Sequence, residues 1–291
     1  MMTNNMNASL SVDELLEQSI KAIDIPPRPL IIDRVRAAMN EEVPNFKRVG
    51  ELISADVSLA GGLIKTANSP YFGYQSRARS INEALLMLGL EATCRAIAAI
   101  SLRQAFPNSA HYERFWDASA KIAVLSGWLA RRLKRPKLRV DDAYTYGLFR
   151  DCGIVILLRR FPEYKKTLDG ANNAAVLPFT AFEQSELPTD HAVIGCLLAQ
   201  NWWLPDEICQ AIRHHHELAS IATADSAVPL ASRYLIAIGQ TAEHLLQQVS
   251  GCCHTKEWPK LGVACLRLLD LEEENLPELY AEVATLLATL D

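Results

Sequence analysis

The sequence is short of the features that most readily mark a class. Its seven cysteines (Cys94, Cys152, Cys196, Cys209, Cys252, Cys253 and Cys265) are scattered, odd in number and without a CxxC pair. That argues against a zinc knuckle and a secreted disulfide framework, and favours small core residues in a reducing compartment. There is no basic excess: 29 Lys and Arg against 34 Asp and Glu give a net charge of −5, so composition lends nothing to nucleic-acid binding. The N-terminus, MMTNNMNASLSVDELL, has neither a basic n-region nor an apolar h-region, so no signal peptide is expected. No apolar run is expected to reach the length of a membrane span. Strand-like alternation and Asn-Gly hairpin signals are missing, as are a GxSxG elbow and a Walker-type GxxxxGK[ST] loop. These absences lead to the expectation of a cytoplasmic protein with neither nucleic acid nor membrane as partner.

What remains is helical. Apolar residues make up 49% and charged residues 22% of 291 residues, ample for a buried core. Ser11-Val12-Asp13-Glu14 reads as a capping box ahead of Leu15, Leu16, Ile20 and Ile23. Pro26, Pro27 and Pro29 break the chain and seed a helix through Val35 and Met39. A short helix over Phe46–Ser54 follows, then Asp56 as N-cap of DVSLAGGLIKTANS, in which Gly61 and Gly62 serve close packing. Ser80-Ile81-Asn82-Glu83 is a second capping box, opening one long apolar helix, INEALLMLGLEATCRAIAAISL. In the ANSPYFG turn between them, Pro70 disfavours helix, Tyr71 and Phe72 fold aromatic area onto the bundle, and Gly73 permits positive φ. Pro107-Asn108-Ser109 is the best internal boundary.

Beyond it, ERFWDASAKIAVLSGWLARRL and VDDAYTYGLFRDCGIVILL each read as one helix. PTDHAVIGCLLAQNWWL, PDEICQAIRHHHEL and PLASRYLIAIGQTAEHLLQQV follow, separated by prolines, and two helices close the chain. The basic run Arg131, Arg132, Lys134, Arg135, Lys137, Arg139 fits a helix C-terminus, where cations suit the dipole. Trp202 and Trp203 read as packing. The expected fold is all-α in two helical lobes, 1–107 and 108–291, the second an HD-like bundle.

AIRHHHEL raises the question of a metal site, since imidazole is the commonest metal ligand. Consecutive helix residues are about 100° apart, so three adjacent histidines on a helix cannot all meet one ion. Ile208 and Ile212 mark a buried face that continues to His215. His216 lies on its flank and His214 points outward, with Glu217 a candidate hydrogen-bond partner. The Cys252-Cys253-His254 cluster matches no known metal spacing.

GLFRDCG (147–153) with TDHAVIGCLLAQNWWLPDEICQAIRHHHE (189–217) resembles the HD superfamily of metal-dependent phosphohydrolases, in particular its HD-GYP branch. LISADVSLAGGLIKTANSPYFG (52–73) followed by SINEALLMLGLEATCRAI (80–97) resembles the HDOD domain, the HD-related output domain of bacterial signalling proteins. The resemblance implies a pocket at Ala118, Arg150, Asp151, His191, His215 and His216. Ala118 stands where the first family histidine would lie and has no ligand atom. Arg150 replaces the histidine of the HD pair and cannot coordinate. The final family aspartate has no counterpart, since no aspartate occurs from Ser226 to Leu269, and HHELASIA lacks the DGxGYP continuation.

The implied function is a stand-alone, non-catalytic signal-transduction module that binds a signalling protein or small ligand through the cleft between its lobes, with no cofactor expected. The alternative is a metal-dependent phosphohydrolase with a reduced site, a divalent metal held by Asp151, His191, His215 and His216. Within the pocket, Arg150 is expected to supply the missing positive charge by pairing with Asp151 or another carboxylate; the alternative is a solvent-facing Arg150.

Overall fold

Residues 23–69, 72, 76–106, 110–223, 225–251 and 254–289 are described by the computed structural model, and every regular element among them is helical. The Ser11–Glu14 capping box with Leu15, Leu16 and Ile20, the positions Pro70, Tyr71 and Gly73, the boundary Pro107-Asn108-Ser109, and Cys252-Cys253 lie outside the described residues.

The chain begins with α1 (Leu30–Met39), α2 (Phe46–Ser54), α3 (Val57–Ala67) and α4 (Ile81–Gln104). Their ends obey the capping chemistry. The Asn45 side chain accepts from the Arg48 amide, and Asp56 accepts from the amides of Ser58 and Leu59. Ser80 accepts from the Glu83 amide at 3.2 Å, but the Glu83 carboxylate returns to the Arg79 amide at 2.7 Å, one residue before the position a strict capping box uses. A Cβ on Gly62 would lie 2.8 Å from Ile100, so α3 and α4 pack closely there.

Two corrections concern α4. It is not one straight helix: Gly89 has φ 73° and ψ 171°, a conformation open to glycine, and breaks its course. It is also long and apolar enough, by length and composition alone, to cross a membrane, contrary to the expectation from the sequence. Here its buried side chains Leu85, Ile97 and Leu102 join the same core as Val35, Val49, Ile53 and Leu63.

The chain continues through α5 (Ala110–Leu133), α6 (Val140–Phe149), α7 (Cys152–Arg160), α8 (Tyr164–Asn173), α9 (Phe179–Glu186), α10 (His191–Asn201), α11 (Asp206–His214), α12 (Leu218–Ala222), α13 (Leu230–Ser250), α14 (Trp258–Leu269) and α15 (Leu276–Leu287), with a 3₁₀ turn at Glu273–Asn275. VDDAYTYGLFRDCGIVILL is therefore two helices rather than one. The break falls at Arg150-Asp151, where Asp151 has φ −105° and ψ 12°. The basic run does more than end α5: Arg132 pairs with Glu278 and Glu282 on α15, and Arg139 pairs with Glu91 on α4. Trp202 is buried and its indole N–H donates to the Pro26 carbonyl at 3.1 Å.

One continuous set of buried apolar side chains runs from Ile25 to Leu287. Each fully buried Leu or Ile stabilises the fold by about 1.5–3 kcal/mol relative to exposure. The tightest helix contact brings α7 onto α10: a Cβ on Gly153 would sit 2.0 Å from the His191 carbonyl oxygen. Gly153→Ala is therefore expected to destabilise by about 1–3 kcal/mol through overpacking. Gly61→Ala, on an exposed helix face with open space around the new Cβ, is expected to stabilise by about 1 kcal/mol. Urea unfolding of the two variants reads both signs.

His244 on α13 stacks on Trp258 with ring centroids 3.9 Å apart, and its Nε2 lies 2.9 Å from the Tyr280 hydroxyl. Burial pulls its pKa down to about 4. The unfolded chain takes up this proton near pH 6.5, so stability is full above that pH and falls as pH drops from 6.5 toward 4. Urea titrations across this range are expected to show a shallower decline in His244→Gln than in the parent.

Candidate metal centre

Three places in the fold deliver the four side chains of one cluster. Asp151 comes from the break between α6 and α7, and His191 from the first position of α10, whose N-cap Asp190 accepts from the Val193 amide. His215 and His216 come from the end of α11. The helix stops at His214; His215 keeps helical backbone angles and continues the buried face of Ile208 and Ile212, and the turn that follows brings His216 inward beside it. His191, His215 and His216 are all nearly inaccessible, while Asp151 is partly exposed.

Each imidazole is held by its Nδ1. That of His191 lies 2.7 Å from Glu183 on α9, whose carboxylate also accepts from the His191 amide and from the Tyr164 hydroxyl. That of His215 lies 2.7 Å from the Ile212 carbonyl, and that of His216 lies 2.7 Å from Glu257 at the start of α14. A carbonyl oxygen only accepts, so the His215 proton sits on Nδ1 and its Nε2 carries a lone pair. The two carboxylates impose the same tautomer on His191 and His216. Phe179 stacks on His216 at 4.7 Å and meets the His191 ring edge-on.

The three Nε2 atoms then converge. His191 Nε2 lies 3.2 Å from both His215 Nε2 and His216 Nε2, and Asp151 Oδ1 lies 3.3 Å from His215 Nε2 and 3.8 Å from His191 Nε2. Lone pairs facing one another at these distances repel unless something positive lies between them. Donors bound about 2.1 Å from a tetrahedral ion stand about 3.4 Å apart, close to the spacing seen. Three imidazoles and one carboxylate are a donor set suited to zinc, iron or nickel. The residues present fit a metal ion.

The electrostatics favour the ligand form of three of the four groups. Burial pushes His215 and His216 below the ordinary imidazole value, and neighbouring imidazoles add to the effect on His216. For His191 burial is outweighed by Glu183, so its pKa rises. Burial alone would raise Asp151, yet Arg150 beside it holds its carboxyl well below the usual carboxylate range.

The other Asp151 oxygen faces Arg150, 3.2 Å from Nε. Arg150 is 2% exposed, which excludes the solvent-facing arrangement. Its guanidinium also reaches Glu243 on α13 at 3.2 Å and donates to the Gly239 carbonyl at 3.0 Å. Gln240 Nε2 donates to Glu243 in turn. Ala118 lies partly buried on α5 and offers no donor. His214 is turned away from the cluster, 2.9 Å from Glu217. Glu217 pairs with His214, Arg213 and Ser220, not with His215 or His216, because the chain turns between them.

Sequence reasoning missed Glu183, Glu257 and Glu243. The first two are remote in sequence, Glu183 in a helix without a motif and Glu257 just ahead of α14. Glu243 had a signal: it is the carboxylate in the helix after Pro229, where only an aspartate was sought.

The sequence model of the HDOD domain matches residues 25–218. An uncharacterized protein of Treponema pallidum (strain Nichols) is 26% identical over 196 residues, covering 67% of this chain and 38% of that protein. The chain thus spans well under half the length of that relative. An HDOD domain protein with unknown function from Geobacter sulfurreducens has a crystal structure that superposes with a TM-score of 0.61 at 21% identity, covering 94% of this chain and 97% of that one. A chain from Marinobacter aquaeolei VT8 named "Putative signal transduction protein" superposes with a TM-score of 0.66 at 22% identity, covering 93% of this chain and 60% of that one. At these identities the likeness of the two structures shows the fold.

Removing Arg150 leaves Asp151 and Glu243 facing each other uncompensated. Arg150→Met is expected to cost about 3–5 kcal/mol in urea unfolding. Adding Glu243→Gln to it is expected to recover part of that loss, whereas a solvent-type ion pair would show almost no loss to recover.

Proposed function

The chain belongs to the HDOD domain family, and we propose that it is a regulatory module whose three-histidine centre holds one metal ion as a structural pin rather than as a catalyst. The observation that carries this is the gathering of three imidazoles, each fixed by a hydrogen bond at Nδ1, and Asp151 with ligand atoms all within 4.8 Å of one another. Asp151, His191, His215 and His216 would hold the ion. Four protein donors saturate a tetrahedral ion, and closed coordination is the mark of a structural site; a hydrolytic one keeps a position for water. When bound, such an ion supplies fixed positive charge that ties α7, α10 and the end of α11 together.

Arg150 supports the same reading. In a two-metal hydrolase a second cation shares the bridging carboxylate and helps activate water. Here a guanidinium occupies that side of Asp151, and it neither coordinates nor gives up its proton. Its other donors are engaged by Glu243 and Gly239, so it is not free to clamp a phosphate either. Regulatory work then falls to the fold: helices joined at one pin can pass a change at one surface to another.

Protein purified without chelators is expected to carry one transition-metal ion per chain by mass spectrometry. Stripping the ion is expected to lower the melting temperature, with binding worth about 4 kcal/mol when free metal exceeds Kd a thousandfold. His191→Ala is expected to lose the ion, and phosphomonoester and phosphodiester substrates are expected to remain intact. Failure to load zinc, iron, manganese or nickel would remove the pin. Metal-dependent hydrolysis that disappears in Asp151→Asn would make the protein an enzyme.

A further inference from the structure

Between α1, α4 and the turn joining α10 to α11 lies a cleft of about 290 Å³ whose residues the metal centre does not use. Its walls are of two kinds. Met39, Ala98 and Leu204 are among the apolar lining, while Arg36, Arg95 and Arg139 bring three guanidinium groups to the same space. Arg139 lies 2.7 Å from Glu91, and Arg95 lies 2.7 Å from Asp142 and 3.7 Å from Glu91. Arg36 differs from both. Among the described residues it meets no carboxylate: its guanidinium carbon lies 4.8 Å from the centre of the Trp203 ring, and its Nη1 lies 3.5 Å from the Trp203 carbonyl.

Trp203 is an unusual residue for its place. It follows α10 with φ 59°, a left-handed cap position that ordinarily selects glycine or asparagine. The residue is 46% exposed, and the guanidinium carbon of Arg28 lies 3.6 Å from the ring centre. A cap without a side chain would close the helix equally well, so the tryptophan is not explained by helix termination. What it does is put an aromatic surface at the rim of a cleft that already holds a guanidinium facing no carboxylate among the described residues.

We propose that this cleft binds a small organic phosphate of mononucleotide size. Arg36 is the anchor for the phosphate, with Arg139 beside it, because a guanidinium presents paired donors that match phosphate oxygens. The organic part lies along the apolar wall and the Trp203 rim. The volume is at the lower end of that of small-molecule sites, which suits one nucleotide and not a dinucleotide. The turn Trp202–Pro205 connects the helix that begins with His191 to the helix that ends beside His215. Occupancy of the cleft therefore bears on the metal centre through both helices. The binding site stands on its own geometry; its role as the input of the module rests on the regulatory reading above.

Isothermal titration of the full chain with adenosine monophosphate, and separately with inorganic phosphate, tests the proposal. Measurable binding of the nucleotide is expected, at least about tenfold tighter than phosphate alone. Arg36→Gln is expected to weaken it about tenfold or more, the size of losing one charge-assisted contact. Trp203→Gly, which suits the backbone at that position, is expected to weaken nucleotide binding while leaving the melting temperature intact. Arg267→Gln, on an exposed face of α14, is expected to change nothing. The metal content of Arg36→Gln should equal that of the parent, so a loss of binding is not a loss of fold.

No heat of binding at millimolar nucleotide would overturn the proposal, as would equal affinity in the parent and Arg36→Gln. Phosphate binding as tight as the nucleotide would overturn the organic half of it. Measuring the affinity in metal-loaded and metal-stripped protein separates the two readings. Equal affinities overturn the input role, whereas a protein that loads no metal but binds nucleotide through Arg36 sinks the structural pin and leaves the cleft standing.

Discussion

Asp151 divides its carboxylate between two positive demands. One oxygen faces the converging imidazoles, and the other lies against a buried guanidinium that in turn reaches Glu243. Neither side of this arrangement is stable alone. Without Arg150 two carboxylates would be buried near each other, and without a cation among the histidines three lone pairs would face one another. The break between α6 and α7, the close approach of α7 to α10 at Gly153, and the early end of α11 all serve to bring these groups to one place.

The supporting residues define what the centre can do. Glu183, the Ile212 carbonyl and Glu257 each accept a hydrogen bond from one imidazole Nδ1, which orients the ring and leaves the opposite nitrogen as a ligand atom. Such anchoring is characteristic of a metal site and has little purpose in a purely apolar core, where a histidine pair would be costly. In the absence of metal, one proton on His191 would partly do the work of the ion, consistent with the raised pKa that Glu183 gives it. Arg150 meanwhile sets a fixed positive charge against the other side of Asp151, one that neither coordinates nor exchanges. The helices α1 to α4 contribute no group to it. Of these, α1 and α4 line one side of a separate cleft, and the turn Trp202–Pro205 between α10 and α11 lines the other.

Much of the fold is legible in the sequence, because its cues are local. Capping residues, prolines and apolar periodicity depend on neighbours a few positions away, and they place the all-α class, the helix over Phe46–Ser54 and the caps at Asp56 and Ser80. The motifs around Asp151, His191 and His215 are local as well, which is why the family and its candidate ligands are readable from the chain.

Tertiary structure decided the rest, since it depends on where helices stop and what meets them. Periodicity carries a helix through Arg150-Asp151, yet packing breaks it there and aims Asp151 inward. Helix geometry leaves His215 and His216 as candidates without saying that they meet, and it is the turn after His214 that brings both to His191. Gly89 interrupts α4 although its apolar run is unbroken. The partners Glu183, Glu243 and Glu257 are distant in sequence, and only the packed bundle supplies the proximity that turns a glutamate on a neighbouring helix into an anchor for a histidine. The sequence by itself determined which groups are available for the centre; their charge states and directions were decided by burial and by the groups that folding places opposite them.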